Sequence, residues 1–532
     1  MRNRKKILGV VLLCISVLML LLTAGGHGNR MSGYYVSADA FEKLMQGRRE
    51  CAAPLIEELT LGEETLFYDA GTHTFYYSVI EGNADAYDPV LRIKTADSHV
   101  KIAIKECEIT EELIGQNGTI ELIAYTDSEY NVYQLKVTTL PLMNLEVAEE
   151  IADTNVSMHM ILFDNREGAP QRLIESDGMV HNRGGTTKSY PKKGMKLSLT
   201  QDSTGGNIRK NMISLLGMRQ DDDWILYAAY NDQEKVRNVF SCNLWKQSCA
   251  GHNSYGIDNG VCYEYVELFV DGQYYGLYAL GHLIDDLQMQ VAEQSGECVY
   301  KNKGWTNEEM VLQSEEPVVP GFVVVSAGET KNTELLYDFY RKMSDPDTDA
   351  VWYYQSMDLD NAIEFMLFMV LIQGSDNVNG ASTKNMYLTA KENENGGYCF
   401  LYTPWDLDAT WGNSFNGAYV MNLWDNFEMR SGPLYHLLER GDAYAWERYL
   451  DRYEELRKDA WSEETLILML TEYERQIFDS GAFLRDMERW PDGAYGEPEK
   501  KLSVFIQYVK DRLHSADAFY EFLKETRQSE IH

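Results

Sequence analysis

Gly374-Ser375-Asp376-Asn377-Val378-Asn379-Gly380-Ala381-Ser382-Thr383-Lys384-Asn385-Met386-Tyr387-Leu388-Thr389 and, one turn later, Tyr398-Cys399-Phe400-Leu401-Tyr402-Thr403-Pro404-Trp405-Asp406-Leu407-Asp408 carry the reading of this chain. The residues just before, 359–373, are apolar enough for a buried helix. The order is therefore helix, polar loop, strand, turn at 392–397, strand, acidic triplet. A tight hairpin brings its two ends back beside each other. Asp376 then lies near Asp406 and Asp408. In an extended segment those two side chains point the same way, because the side-chain period is two. Two hard carboxylates with the amide oxygen of Asn385 suit Mg²⁺ bridging phosphates. A carboxylate that follows a helix, such as Asp376, can act as a base or orient a nucleophile.

Protein kinases use the same order of parts: catalytic Asp, Asn, hairpin, metal-binding Asp. A lone Asp-x-Asp in a chain with 83 acidic residues is a weak signal, so other blocks have to support it. The first is Arg183-Gly184-Gly185-Thr186-Thr187-Lys188-Ser189-Tyr190-Pro191-Lys192-Lys193-Gly194. A Gly/Thr loop with a basic strand after it offers backbone N–H groups and ammonium groups to phosphates. By itself it also reads as a solvated loop. The next spans 221–238 and holds Asp223-Trp224, Asp232 and Arg237-Asn238. By itself it reads as a strand and a helix with an internal ion pair.

The rest of the chain sets bounds. It has 532 residues, enough for two or three domains. Hydrophobic residues make up 44% and aromatics 12%, far above a disordered chain. Acidic residues outnumber basic ones 83 to 48, a formal charge of −35. That excludes a nucleic-acid partner bound through a basic footprint. It leaves room for a small basic pocket. The N-terminus, Met-Arg-Asn-Arg-Lys-Lys followed by an uncharged apolar run to about Ala24, predicts a signal peptide or membrane anchor over 1–26. The remainder is then exported, secreted or held at the outer face of the membrane. Seven of the eight cysteines lie beyond that segment, with no zinc-knuckle spacing. The group from Cys242 to Cys298 has room for one or two disulfides, and buried thiols fit equally.

Residues 27–57 read as a polar juxtamembrane linker with one short helix. Over 58–147 alternating strands with turn-rich spacers predict a small all-β sandwich of the immunoglobulin-like kind. The α+β domain 148–532 follows, strand-rich over 148–330 and helical over 331–532. Asp271-Gly272 marks a hairpin between 265–270 and 275–280.

The blocks in this order resemble the spore-coat CotH kinase family. Residues 183–193 are similar to its RGxSSRxxPKK signature. Asp223-Trp224, Asp232 and Arg237-Asn238 match its DWxLxxxxxD…RN stretch. Val266-Glu267-Leu268-Phe269-Val270-Asp271-Gly272-Gln273-Tyr274-Tyr275-Gly276-Leu277-Tyr278 matches VELFVNGxYxGLY. Asp376, Asn385-Met386-Tyr387-Leu388 and Pro404-Trp405-Asp406-Leu407-Asp408 look like its D…KNxYLY and PWDxD elements. The resemblance implies an atypical protein-kinase-like fold that uses ATP and Mg²⁺ to phosphorylate Ser or Thr of surface or coat proteins. By position it makes Asp376 the acid–base, with Asp232 and Arg237 bracing the site. Arg183, Lys192, Lys193 and Trp405 fall to the nucleotide, and Asn385, Asp406 and Asp408 to the metal. The chain departs from the family at His282, where a Glu is usual, and at Gly374, where an Asn is usual. A noncatalytic surface or coat protein built on the same scaffold is the alternative, since an exported kinase meets little ATP. A sugar-nucleotide transferase also uses Asp-x-Asp, but the expected βαβ pattern is missing.

Overall fold

A computed structural model describes residues 29–531, apart from 63, 84, 96, 202–208, 329–331, 415, 420–421 and 426. The signal or anchor expected over 1–26 lies outside the described residues. No described helix is long and apolar enough to cross a membrane.

Two sheets share the first core. One orders Asn29–Arg30, Val90–Thr95, Ile56–Leu61 and Glu64–Thr65. The other runs from Tyr35–Val36 through Lys101–Lys105, Thr119–Tyr125, Glu129–Thr138 and Thr74–Ser78 to Phe67–Asp69. Leu59, Leu91, Phe75, Leu122, Tyr133 and Leu135 interlock between them. The expected linker is part of this unit. Tyr35–Val36 and Arg49–Glu50 add to the second sheet, and Phe41 of the intervening helix packs on Ala103 and Ile123.

The expected boundary at 147 also moves. Leu142–Val147 (β1) leaves the sandwich and pairs with Val156–Phe163 (β2) and Tyr263–Val270 (β6). Its alternating text would suit either sheet, and only the distant partner decides. The other strands are Leu173–Arg183 (β3), Gly194–Gln201 (β4), Asp223–Tyr227 (β5) and Gln273–His282 (β7). Their order is β3-β2-β1-β6-β7-β5-β4, and β4 pairs back onto β3, so the sheet closes into a barrel. Alternation sorts its side chains. Met143, Leu145, Val266, Leu268, Leu226 and Leu280 fill the interior. Leu142, Phe163 and Phe269 face the other way and pack on Tyr76 of the sandwich. The β6–β7 hairpin turns at Asp271 (φ 49°) and Gly272 (φ 73°), the paired left-handed conformation that Asp-Gly favours.

Helix α1 (Arg237–Ser248) leads from the barrel into the largest core. There a four-stranded sheet orders Phe322–Ala327 (β9), Cys298–Asn302 (β8), Met386–Glu392 (β10) and Tyr398–Pro404 (β11). Helices α2 (Thr333–Met343), α3 (Leu359–Leu371), α4 (Ala443–Lys458), α5 (Glu463–Glu474), α6 (Ala482–Arg489) and α7 (Ser503–Ile531) complete it. Asp358 caps α3 by accepting from the N–H of Asn361, and α3 is buried on most of its circumference, as its uniformly apolar sequence requires. All seven described cysteines are free thiols.

Candidate active site

Helix α3 ends at Leu371, and two residues on stands Gln373, whose backbone is left-handed (φ 53°). The Gln373 amide donates to the carbonyls of Asn422 and Asp425. The chain then enters the quoted loop, which is sewn to the acidic triplet. Ser375 donates to the carbonyls of Ala409 and Asn413. Asn377 Nδ2 donates at 2.9 Å to the carbonyls of both Asn385 and Trp405. Asn238, in the first turn of α1, accepts at 2.8 Å from the N–H of Leu407, between the two aspartates. Each end of the hairpin is thus fixed by a side chain from elsewhere.

These segments face the 184–190 loop across a cleft of about 960 Å³. The loop needs glycine at 184. Its φ is 123°, and a Cβ there would meet Thr187 Oγ1 at 2.0 Å. Arg183, Lys192, Trp405, Asp376, Asn385, Asp406 and Asp408 all border the cleft, so seven of the ten expected site residues converge.

Lys301 joins them from the middle of β8. It stands opposite Tyr387 of β10, and its Nζ is 4.6 Å from the centre of the Trp405 ring. The Arg183 guanidinium lies 5.7 Å from the same ring. Neither side chain has a hydrogen bond or ion pair among the described residues. Burial, with Arg183 adding to it, pushes the Lys301 ammonium down to about 7. Two unpaired cations flanking one aromatic ring are costly in an unliganded wall. Their natural complement is a polyanion with a planar group.

The acids line the same cleft. Asp376 is gripped by Lys384 Nζ at 2.9 and 2.7 Å and by Asn385 Nδ2 at 2.9 Å. Asp406 takes a left-handed backbone (φ 58°), a strained choice for this residue that aims its carboxylate into the cleft. Asp406 is open to solvent within the cleft, yet the surrounding walls desolvate it and raise its carboxyl above the usual range, against the pull of Arg183 and Lys301. Asp408 is raised further, by burial and then by Asp406 beside it, while Asn231 Nδ2 donates to it at 3.4 Å. A bound cation would stabilise two neighbouring carboxylates that resist ionising together. Among the described residues no three His, Cys, Asp or Glu side chains form a metal cage. The donor set is two carboxylates plus amides, which fits magnesium completed by phosphate oxygens and water.

Three expected residues, Lys193, Asp232 and Arg237, are placed elsewhere, and Lys192 borders the cleft with its ammonium turned away from it. Lys192 Nζ is fully buried, bonded at 2.7 Å to Asp486 Oδ1 and to the Leu277 carbonyl. Its charge is spent on α6, so it has none to offer a phosphate, a departure from the expected nucleotide contact. The Lys193 side chain is outside the cleft wall, and its carbonyl accepts from Tyr278 Oη at 3.0 Å. Asp232 and Arg237 form a buried cluster with Glu234, with Arg237 Nη1 at 2.5 Å from a carboxylate oxygen of each. Its guanidinium stacks 4.5 Å from Tyr419 and 4.7 Å from Phe505. This group holds the start of α1 and stays behind the cleft. Lys301, Lys384, Asn231 and Asn238 were missed. A lysine in the middle of the strand-like run Cys298-Val299-Tyr300-Lys301-Asn302 was the available signal for the first.

His282 is sealed off, 1% exposed, and accepts at 3.3 Å on Nδ1 from Arg219 Nε. Asp285 caps the next helix and pairs with Arg219. Neither forms a hydrogen bond or ion pair with Lys301. Burial and then Arg219 push the imidazole down to about 4. Below the unfolded value near 6.5 the unfolded chain takes up a proton that the folded one refuses. Stability is therefore expected to fall as pH drops from about 6.5 to about 4, by ~3 kcal/mol from this group alone. Urea midpoints across that window check it. His282→Gln, which keeps an acceptor for Arg219, should flatten the slope.

A family model described as CotH kinase protein matches residues 180–516. Every residue placed at the cleft falls inside that span. No curated protein matches the chain.

Proposed function

Because this chain belongs to the CotH kinase family, we propose that the cleft binds ATP and transfers its terminal phosphoryl group to a Ser or Thr hydroxyl of a protein at a cell or coat surface. One observation carries the reading: Arg183 and Lys301, both without an ion pair among the described residues, lie by Trp405 in a cleft that also holds Asp376, Asp406 and Asp408. The cations suit the triphosphate and Trp405 the purine face. Magnesium, when bound at Asp406 and Asp408, would neutralise phosphate charge. Asp376 accepts the proton as the acceptor oxygen attacks the γ-phosphorus, and the bond to the β–γ bridging oxygen breaks to release ADP. Lys384 holds the Asp376 carboxylate in one orientation and carries positive charge to the site of transfer.

The test is nucleotide binding by the full-length chain, read as a melting shift and by calorimetry, with and without Mg²⁺. At a hundredfold excess over Kd, ATP should stabilise the protein by about 2.7 kcal/mol. Lys301→Met removes one charge-assisted contact and should weaken ATP by roughly 10- to 100-fold. Wild-type binding that Lys301→Met leaves unchanged would remove the nucleotide from this part of the cleft.

A noncatalytic scaffold is the second reading. His282 faces Arg219, and among the described residues no acid forms an ion pair with Lys301 in the usual kinase manner. ATP binding without transfer to any protein would favour it.

A further inference from the structure

The cleft has an open side. Strand β9 ends the order β9-β8-β10-β11, and no described strand pairs with its outer edge. Edges of this kind are usually blunted with charge or proline inside the strand. Here the twelve residues Pro317-Val318-Val319-Pro320-Gly321-Phe322-Val323-Val324-Val325-Ser326-Ala327-Gly328 hold no charge at all, in a chain of net charge −35. The one irregularity is a bulge where Val299 pairs with Ser326 and Tyr300 with Val324. It leaves Val325 as the extra residue.

Register tells which way the strand faces. Lys301 of β8 is opposite Val323 on β9 and Tyr387 on β10. Residues directly opposite share a face, so Val323 lies on the face that carries Lys301 into the cleft. Phe322, on the other face, packs on Tyr340 of α2. Val323 and Val325 are 39% and 43% exposed. The cleft floor therefore runs on, uncharged and apolar, to an unpaired edge. Lys303 stands at the junction. Its N–H donates to the Gly321 carbonyl at 2.8 Å, and it lines the cleft beside Trp305. Its ammonium is exposed, with no acidic partner among the described residues.

We propose that the outer edge of β9 receives the acceptor protein as an added extended strand, with apolar side chains on Val323 and Val325 and an acidic residue against Lys303 close to the residue being modified. This rests on the phosphotransfer reading for its purpose but not for its geometry. Backbone pairing supplies the affinity and alternate side chains the selection. Lys303 supplies direction: the strongly acidic surface elsewhere repels an acidic segment, and this exposed cation at the edge of the cleft admits it.

The full-length chain is tested with a short fluorescein-labelled peptide in which valine and serine alternate before a glutamate, and with the same peptide carrying lysine for the glutamate. Anisotropy is read without nucleotide. The glutamate peptide should bind about tenfold tighter, a difference of ~1.4 kcal/mol. Lys303→Glu should reverse the preference, which a merely structural lysine would not do. Val323→Lys, a change at an exposed position, should weaken both peptides about tenfold with the melting point unchanged. Equal binding of the two peptides, or indifference to Val323→Lys, overturns the proposal. So does a wild-type dimer that Val323→Lys converts to monomer by light scattering, since a second copy would then cover the edge. ATP binding without peptide selection fails the docking strand alone, and peptide selection without ATP binding fails the kinase reading alone.

Discussion

Asp376→Asn is expected to lower phosphoryl transfer by about 10²- to 10⁴-fold, the range of a positioned general base. ATP affinity should hold, because Asp376 is bonded to Lys384 and Asn385 and not to Arg183 or Lys301. The asparagine keeps the shape and can still bond Asn385, but it has no basic oxygen for the proton. It also loses the ion pair that Lys384 makes at 2.7 Å. Single-turnover phosphorylation of a protein substrate, alongside calorimetric ATP titration, separates the two effects. A transfer rate within a few-fold of wild type would assign the base elsewhere.

Arg237→Met should have the largest effect on stability. Arg237 and Asp232 are fully buried and Glu234 nearly so. Removing the cation leaves two carboxylates in the interior, which costs about 3–5 kcal/mol. Replacing all three, with Asp232→Asn and Glu234→Gln added, should recover much of that loss, since no charge is then stranded. Urea unfolding of the single and triple variants measures both. A single variant that melts like wild type but transfers no phosphate would move Arg237 from brace to catalyst.

The two predictions differ because sequence recorded the two groups unequally. The loop from Asp376 to Asp408 was readable because its parts are close in the chain and its hairpin is local. The Asp271-Gly272 turn and α3 were readable for the same reason. Lys192 and Arg237 were chosen by charge and place in a motif. Their roles depend on where each side chain ends, and that is set by Asp486, 294 residues from Lys192, and by Tyr419 and Phe505 around Arg237. Lys301 escaped because a lysine on a strand reads as solvent-facing unless both neighbours, β9 and β10, are known. The sandwich boundary slipped because Leu142–Val147 alternates equally well for two different sheets, and barrel closure is a long-range fact.

The ion pair between Lys192 and Asp486 also sets an order of assembly. A ribosome that has finished the Gly/Thr loop still has almost three hundred residues to make before the loop's buried lysine finds its counter-ion. Arg485, next to Asp486, waits in the same way for Glu267, 218 residues earlier, and for Asn117 of the sandwich. Domains generally fold as their chain emerges, so the sandwich is complete early while the cleft stays unbraced until α6 arrives. A nascent or prematurely stopped chain would therefore carry the sandwich but no finished cleft. Competence for ligand comes with nearly the last tenth of translation, a built-in delay between making the protein and arming it.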